Sequence, residues 1–377
     1  MPRTERSGFE RATRAALVGL VALGIGVSVA PRARAQGGVL LQGIVDAEGW
    51  STNATSNLLT RGDGHAAGLG RLTAWGAYEP FSKIVLYAEG EVESGNATRD
   101  RETDVYSHQY GVRYSASRLV VLDLGRTTPI IGTFAPRHYS TRNPLIGEPD
   151  GYTIDYPLAI KLSGEATHFD YRAALVSLPT SHDTYQPEPT GRLRPAIGAG
   201  VTPFVGFRLG GSFTIGPYLN NDIPPTTLGG RTWSDFKQTV IAFDAAFARG
   251  YLETYAEGAR GTYEVPGRPD ITGFTYYGEV KYTFTPRFYL AARAERNDYP
   301  SIRPTSTGFT ARSWDFIDGE FGGGFRASRT TLVKASLRGD RWWGLRDNQP
   351  GFLGRGGYAI ALQLSQSFDV TSWMNRY

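Results

Sequence analysis

Apolar and polar residues alternate along most of this chain, in runs of about ten residues that recur from residue 39 to residue 368. The segment KIVLYAEGEV at 83–92 is typical, because Ile84 and Leu86 share one face and Glu89 and Glu91 share the other. A period of two places successive side chains on opposite faces of a β-strand. The pattern therefore predicts strands longer than the roughly five or six residues common in globular proteins.

Short turns alternate with long polar segments between these runs. Tight turns are predicted near Pro80, Ala116, Gly164, Pro203, Gly250, Pro286 and Ser328. Each interval holds two strands and one long loop, which gives sixteen strands with both chain termini on the side of the short turns. The predicted strands are 39–48, 67–78, 82–92, 105–114, 119–125, 156–162, 167–177, 192–201, 205–215, 237–247, 251–260, 272–284, 288–296, 314–326, 330–339 and 357–368.

The first 35 residues differ in composition from the rest of the chain. They contain six arginines and two glutamates, which account for the whole net charge of +4. An apolar run from Ala15 to Ala30 precedes Ala33-Arg34-Ala35, so 1–35 is predicted to be a signal peptide cleaved before Gln36. An uncleaved membrane anchor is the alternative, but the run is shorter than the roughly 20 residues that a spanning helix needs. We expect the remainder, 36–377, to form one domain that is neutral overall.

Two further features of the mature chain narrow the class of protein. No second apolar run approaches the roughly 18 residues of a spanning helix, which excludes a helical membrane protein. The chain has no cysteine, which excludes a disulfide scaffold and thiolate metal sites. An all-β fold remains.

Alternation by itself does not separate a soluble β-sandwich from a membrane barrel. The polar faces carry charges of both signs, whereas the apolar faces are rich in Gly, Ala and Val as well as aromatic residues. Aromatic residues also flank six of the seven short turns, as expected for rings at a membrane interface. A soluble sandwich and a β-propeller are the alternatives, although a propeller blade needs four short strands where each unit here has two long ones.

Together, the export signal, the sixteen alternating strands, the short turns, the long loops and the terminal Tyr377 resemble a bacterial outer-membrane porin. The resemblance covers the whole mature chain as a pattern. It implies a transmembrane antiparallel β-barrel of about 16 strands in the outer membrane, with short periplasmic turns and long external loops. It also implies outer-membrane lipid around the barrel, assembly into homotrimers, and recognition of Tyr377 by the barrel-assembly machinery. The segment GRTTPIIGTF at 125–134 weakly resembles phosphate-selective porins.

The third loop, 126–155, is the longest connection in the predicted barrel. In porins the third loop folds into the barrel and narrows it, so the resemblance makes 126–155 the candidate constriction loop. Its four prolines and its apolar residues predict an ordered conformation. Cations precede acids within it, and we expect these two clusters to set a transverse field across the pore. The candidate residues are Arg137, His138, Arg142, Glu148 and Asp150.

Alternation also places charged side chains on the lumenal faces of the strands. The candidate pore-wall residues are Arg113, Asp123, Arg172, Arg208, Glu279, Asp318, Lys334 and Arg338. Rings of charge filter permeants by sign, and the alternative is that these residues form salt bridges that only keep the lumen hydrated. Because the mature chain is neutral, its total charge argues against strong ion selectivity.

No pattern in the sequence indicates catalysis. The five histidines have no metal-ligand spacing, and no G-x-S-x-G elbow or phosphate-binding glycine loop occurs. We therefore expect no enzymatic activity, no cofactor, no metal and no nucleic-acid partner. The sequence predicts a water-filled channel for passive diffusion of small hydrophilic solutes or ions. The alternative is a non-conducting outer-membrane barrel that binds a surface partner through its long loops.

Overall fold

In the computed structural model, sixteen β-strands close into a single barrel. The structure describes residues 38–53, 65–95, 103–149, 156–178, 192–219, 223, 225–305, 308–343 and 356–371. Each strand pairs antiparallel with its neighbours in sequence, and β1 pairs with β16 from Gln42 opposite Asp369 to Thr52 opposite Ala359. The predicted all-β antiparallel barrel is therefore confirmed.

The strand bounds agree with the predicted ones to within a few residues in most of the barrel. The strands are β1 Val39–Thr52, β2 Ala66–Phe81, β3 Ile84–Gly95, β4 Thr103–Ser117, β5 Val120–Arg126, β6 Leu158–Glu165, β7 Phe169–Val176, β8 Arg194–Phe204, β9 Phe207–Pro217, β10 Lys237–Arg249, β11 Leu252–Tyr263, β12 Ile271–Thr285, β13 Phe288–Thr305, β14 Gly308–Arg326, β15 Thr331–Trp343 and β16 Gly356–Asp369. Short 3-10 turns lie at Ala135–Arg137, Pro225–Leu228 and Trp233–Asp235. In the part of the chain that the structure describes, no helix is long and apolar enough to cross a membrane.

Large apolar side chains cover the outside of the barrel on nearly every strand. Phe321, Ile360 and Leu362 are 56%, 55% and 61% exposed, respectively. A contiguous apolar surface of this extent would aggregate in water, but it suits contact with lipid. Because the sheet closes on itself and its apolar face points outward, the soluble sandwich is excluded.

Aromatic rings gather beside the short turns, where the outer wall of the barrel ends. Phe204 and Phe207 flank the β8–β9 turn with ring centroids 5.2 Å apart, and Phe284 and Phe288 flank the β12–β13 turn at 5.8 Å. The turn between the first pair contains Gly206 with a φ of +89°, a conformation that side chains disfavour. These rings form the interfacial girdle that the sequence predicts.

One hairpin departs from the prediction. β13 and β14 run to Thr305 and from Gly308, whereas the sequence predicts 288–296 and 314–326 with a long loop between them. The pairing of β13 with β12 ends at Asp298, so the last part of β13 pairs with β14 alone. The prediction of a long loop here is therefore wrong. Two prolines and weak alternation hid these strand ends, which pair with each other and pack through Ile302 and Phe309 against Tyr218 and Phe236.

Candidate functional site

The connection between β5 and β6, described at 127–149 and 156–157 and here called loop 3, lies against the lumenal face of the barrel. Near its start, Ile130 packs with Ala159, Val176 and Ala196 on β6, β7 and β8. The next residue, Ile131, packs against small apolar side chains of β10. Apolar contacts therefore fix the first part of loop 3 inside the barrel.

The middle of loop 3 is fixed by polar contacts to β11 and β12. The backbone N–H and the hydroxyl of Thr133 donate to the carboxylate of Glu257 at 2.9 and 2.6 Å. The guanidinium of Arg137 forms an ion pair with Glu279 and lies 3.4 Å from the ring centroid of Tyr255. A charge-assisted hydrogen bond and a stacked guanidinium hold this part of the loop at a defined position.

Two residues further on, loop 3 contacts the opposite side of the barrel. The hydroxyl of Tyr139 donates to both carboxylate oxygens of Glu89 on β3, at 2.7 and 2.8 Å. Its ring also lies 5.8 Å from that of Trp75 on β2. Because Arg137 contacts β11 and β12, the segment from Arg137 to Tyr139 crosses the lumen and divides its cross-section.

The last part of loop 3 is bound to β13, β14 and β15. The carboxylate of Glu320 accepts the backbone N–H groups of Ile146 and Gly147 at 3.1 and 3.0 Å. The guanidinium of Arg293 donates to the carbonyl of Gly147 at 2.7 Å and lies 3.4 Å from Glu320. The ammonium of Lys334 donates to two further loop carbonyls at 2.8 and 3.2 Å. We call this wall, formed by the lumenal side chains of β12–β15, the covered sector.

The lumenal side chains of β4–β10 that loop 3 does not contact are different, and we call them the open sector. Arg113 donates to Asp123 at 2.7 Å, and Arg208 donates to both oxygens of Asp170 and also contacts Asp244. The side chains of Arg113 and Arg208 are 49% and 23% exposed. In the covered sector, the ion-paired side chains of Glu279, Arg293, Glu295, Asp318, Glu320 and Arg338 are 0–6% exposed, whereas that of Lys281 is 21% exposed.

Glycines in the open sector let arginine side chains lie flat against the wall. A Cβ atom on Gly200 or Gly210 would meet the guanidinium of Arg208, and one on Gly198 would meet the side chain of Arg172. Side chains that lie along the sheet leave more of the lumen to water. Glycines on the lumenal faces of β8 and β9 are therefore needed to accommodate the side chains of Arg172 and Arg208.

The structure places the eight predicted pore-wall residues on the lumenal face. Arg113, Asp123 and Arg208 belong to the open sector, and Glu279, Asp318, Lys334 and Arg338 belong to the covered sector. Arg172 contacts loop 3 directly, because its guanidinium donates to the carbonyl of Ile130 at 2.9 Å. Asp318 pairs with Arg338 at 2.9 Å. Their role in permeation stays a prediction.

The predicted residues of loop 3 do not form two clusters that face each other across open water. Arg137 pairs with the wall, His138 and Glu148 are partly buried, and Arg142 is exposed. Asp150 lies outside the described residues, as do the predicted signal peptide 1–35 and Tyr377. Among the described candidates of loop 3, Arg142 is therefore the cation that is exposed to solvent.

A histidine that the sequence did not single out contacts the base of loop 3. His108 lies at a bulge where Glu89 pairs with Gln109 but Gly90 pairs with Ser107. Strict alternation would point its ring outward with Tyr110, but the bulge turns it into the lumen. A histidine on an otherwise apolar face was the signal available in the sequence.

The ring of His108 lies 5.6 Å from the ring of His138, and its Nε2 lies 3.6 Å from Glu91. The hydroxyl of Tyr156 lies 3.2 Å from Nδ1 of His138. Burial lowers the pKa of His138, and burial raises the pKa of Glu148, with which His138 interacts. The contact of loop 3 with β3 and β4 is thus the part of the interface between loop 3 and the barrel wall whose charge changes with pH.

The described residues contain no group of three or more His, Asp or Glu side chains that could hold a metal ion. They do contain loop 3, which folds into the barrel and is anchored over the covered sector. Beside it lie the charged side chains of the open sector, which solvent reaches. A closed sixteen-stranded barrel with an apolar exterior and such a loop has the porin-type fold of bacterial outer-membrane proteins.

Solved structures support this assignment of the fold. An anion-selective porin from Comamonas acidovorans is similar with a TM-score of 0.61 and 11% identity, over 88% of this chain and 100% of that chain. OmpF of Salmonella typhi, in a complex with daunomycin, is similar with a TM-score of 0.57 and 11% identity, over 88% of this chain and 97% of that chain. OmpT of Vibrio cholerae is similar with a TM-score of 0.57 and 12% identity, over 88% of this chain and 98% of that chain.

At these identities the likeness concerns the fold. The sequence matches no protein family model and no curated protein. The closed barrel, its apolar outer wall and its outer-membrane structural neighbours agree with the predicted location in the bacterial outer membrane.

Proposed function

We propose that this protein is a passive channel that lets small hydrophilic solutes or ions cross the outer membrane, and that it is not an enzyme. The observation that carries the proposal is the unequal cover of the lumen. Loop 3 is bound over the covered sector, whereas charged side chains of the open sector are solvent-accessible at the same time. A hydrated, charged wall beside a fixed loop is what a filter for hydrophilic solutes requires.

The comparisons support this proposal at the level of fold, because two of the similar structures are a porin and OmpF. The anchoring of loop 3 supports it further. A loop held by Glu257, Glu279 and Glu320 on three strands keeps one position, so the opening beside it has a constant width.

The test is to refold the mature chain into planar bilayers and record single-channel currents. We expect stepwise conductance, and we expect liposomes that contain the protein to swell in small sugars but not in long oligosaccharides. Well-folded protein that gives silent bilayers and osmotically inert liposomes would overturn the proposal.

The alternative, a non-conducting barrel that binds a surface partner, has one observation in its favour. The ends of β13 and β14 project beyond β12, and their Ile302 and Phe309 pack in an apolar cluster with Tyr218 and Phe236. This ordered projection could present a binding surface. Deleting 299–313 would abolish partner binding under the alternative, whereas under our proposal it leaves conductance intact.

The proposal includes assembly into trimers through the apolar outer walls, in line with the resemblance to porins. The measurement is the mass of the detergent-solubilised protein before and after heating. A single-barrel mass in mild detergent would contradict the trimer and leave the channel itself unaffected.

A further inference from the structure

We propose that the channel favours anions, because burial sorts the lumenal charges by sign and leaves mainly cations accessible. This inference rests on the proposed channel function. It concerns a property that composition does not give, since basic and acidic residues balance in the mature chain.

The first step is a comparison within ion pairs that link the lumenal wall and loop 3. The side chain of Arg113 is 49% exposed, whereas that of its partner Asp123 is 2% exposed. In two further pairs the cation is again the more exposed member, at 14% against 0% for Arg137 with Glu279 and 23% against 4% for Arg208 with Asp244. The carboxylates lie against the wall, and the guanidinium groups lie toward the water.

Side-chain length explains this order. A carboxylate stands one or two carbons from the backbone, whereas a guanidinium stands at the end of a three-carbon stem that can cover the wall. When both project from neighbouring strands of a concave wall, the shorter acid is covered by the longer base. An ion in the lumen therefore approaches the guanidinium before it approaches the carboxylate.

Among the described residues, five ion pairs reverse this order: Arg71 with Glu91 and with Glu93, Asp170 with Arg172 and with Arg208, and Glu253 with Lys281. Asp170 is 26% exposed beside Arg208, and Glu253 is 35% exposed beside Lys281, whose side chain is 21% exposed. Each of these acids contacts a cation at 2.7 Å. They reduce the excess of accessible positive charge but do not reverse it, because Arg113 and Arg142 are also exposed.

Arg142 adds a charge from the loop side of the opening. Its guanidinium donates to the carbonyl of Pro136 at 3.1 Å and lies 5.7 Å from the ring centroid of Tyr139. Both contacts are to uncharged groups, so they leave its positive charge in place. Arg142 and Arg113 thus present cations from the loop and from the wall.

The size of the effect follows from the distances. An anion 4 Å from a guanidinium and about 8 Å from its carboxylate is favoured in water by roughly twofold, and a cation is disfavoured to the same degree. The factors contributed by several such groups along one narrow passage multiply. We expect chloride to permeate several times more readily than potassium at low salt, and the ratio to fall as salt screens the charges.

The experiment measures the reversal potential of the refolded protein in a gradient of potassium chloride. The decisive variant is Arg113→Gln with Asp123→Asn, which leaves the net charge unchanged but removes an exposed cation and a buried acid. We expect the chloride-to-potassium permeability ratio to fall by roughly fourfold, because the anion loses about a factor of two and the cation gains about the same factor, and Arg142→Gln to lower it by a similar factor. An unchanged ratio in both variants would overturn the inference.

The matched control is the pair of Arg296 and Asp315, which lies on the outer face with its oxygen and nitrogen atoms 2.9 Å apart. Arg296→Gln with Asp315→Asn should leave the ratio unchanged, and urea titration of all variants in lipid vesicles verifies that they fold. A conducting channel with a preference for potassium would refute the anion preference and leave the channel function standing. Absence of conductance would refute both.

Discussion

The two sectors of the lumenal wall use the same residue types for different purposes. In the covered sector, Arg293 and Glu320 are 3% and 2% exposed and hold backbone groups of loop 3. In the open sector, Arg113 and Arg208 hold carboxylates of the wall and remain accessible to water. The difference teaches that the position of loop 3, rather than the composition of the wall, decides which charges are buried in structural contacts and which remain accessible to water, where a permeant of the proposed channel would meet them.

The energetic consequences of the two environments also differ. Removing one partner of a buried ion pair leaves an uncompensated charge and costs about 3–5 kcal/mol. An exposed pair contributes about 0–1 kcal/mol, because water solvates both groups. Substitutions in the covered sector should therefore change stability and loop position, and substitutions in the open sector should change permeation.

The largest effect is expected for Glu320→Ala. This change leaves Arg293 without its 3.4 Å partner and removes the acceptor for the N–H groups of Ile146 and Gly147. We expect a loss of about 3–5 kcal/mol in the free energy that holds loop 3 against the wall. Larger and noisier single-channel currents, together with proteolytic cleavage within 140–149, would report the release of the loop.

The matched control is Glu253→Ala, which removes the more exposed acid that pairs with Lys281. It should leave loop 3 protected from protease and the current steps uniform. Equal protease sensitivity of the two variants would show that Glu320 does not anchor the loop.

A smaller effect is expected for Gly200→Val in the open sector. The new side chain would occupy the space in which the guanidinium of Arg208 lies, so Arg208 must turn into the lumen. We expect a lower single-channel conductance and a destabilisation of about 1–3 kcal/mol from overpacking. In Gly278→Val, a Cβ on the outer face of β12 meets no atom within 4 Å, so this control should conduct normally.

A third comparison concerns pH and the titratable contact of loop 3. Burial lowers the pKa of His138 below its ordinary value of about 6.5, so the released loop binds more protons than the bound loop below that pH. Docking is therefore fully favoured above about pH 6.5 and is weakened as the pH falls. Burial raises the pKa of Glu148, which acts in the opposite direction because the docked loop then retains the proton.

The two contributions can be separated by substitution. In Glu148→Gln, we expect loop 3 to exchange its amide hydrogens faster at pH 5.5 than at pH 7.5, after correction for intrinsic rates. Adding His138→Gln should reduce this difference, although the imidazole of His108, whose ring lies 5.6 Å away beside Glu91, also titrates. His168→Gln, at an exposed position, is the control and should leave the difference unchanged. An equal pH response in Glu148→Gln with and without His138→Gln would show that His138 does not cause it.

The fold was predictable because lipid outside and water inside impose opposite demands on alternate residues of every strand. That constraint acts on each of the sixteen strands separately, so an error of a few residues in one predicted strand bound did not shift the bounds of the next. It failed where the membrane no longer acts, in the projecting ends of β13 and β14. It also failed at His108, because a bulge inserts one residue and reverses the alternation, and a single histidine on an apolar face was its only sign in the sequence.

The site was predictable only in part, for a related reason. Alternation identified lumenal residues such as Arg113 and Glu279, but it cannot report which of them loop 3 covers. That depends on contacts between residues distant in sequence, such as Tyr139 with Glu89 and Gly147 with Glu320. The total charge of the mature chain was a poor guide to accessible charge for the same reason.

The smallest effect is expected for Lys281→Gln, which breaks an exposed pair 2.7 Å from Glu253. The free energy of unfolding in lipid vesicles should fall by less than about 1 kcal/mol, because both groups are partly hydrated. Arg338→Gln removes the partner that lies 2.9 Å from Asp318, but there both side chains are 6% exposed, and the loss should be several times larger. High salt should remove the difference between wild type and Lys281→Gln and should hardly change that for Arg338→Gln, since ions screen exposed pairs and do not reach buried ones. Similar losses in the two variants would mean that loop 3 does not exclude water from Arg338 and Asp318, and the distinction between covered and accessible ion pairs would then fail.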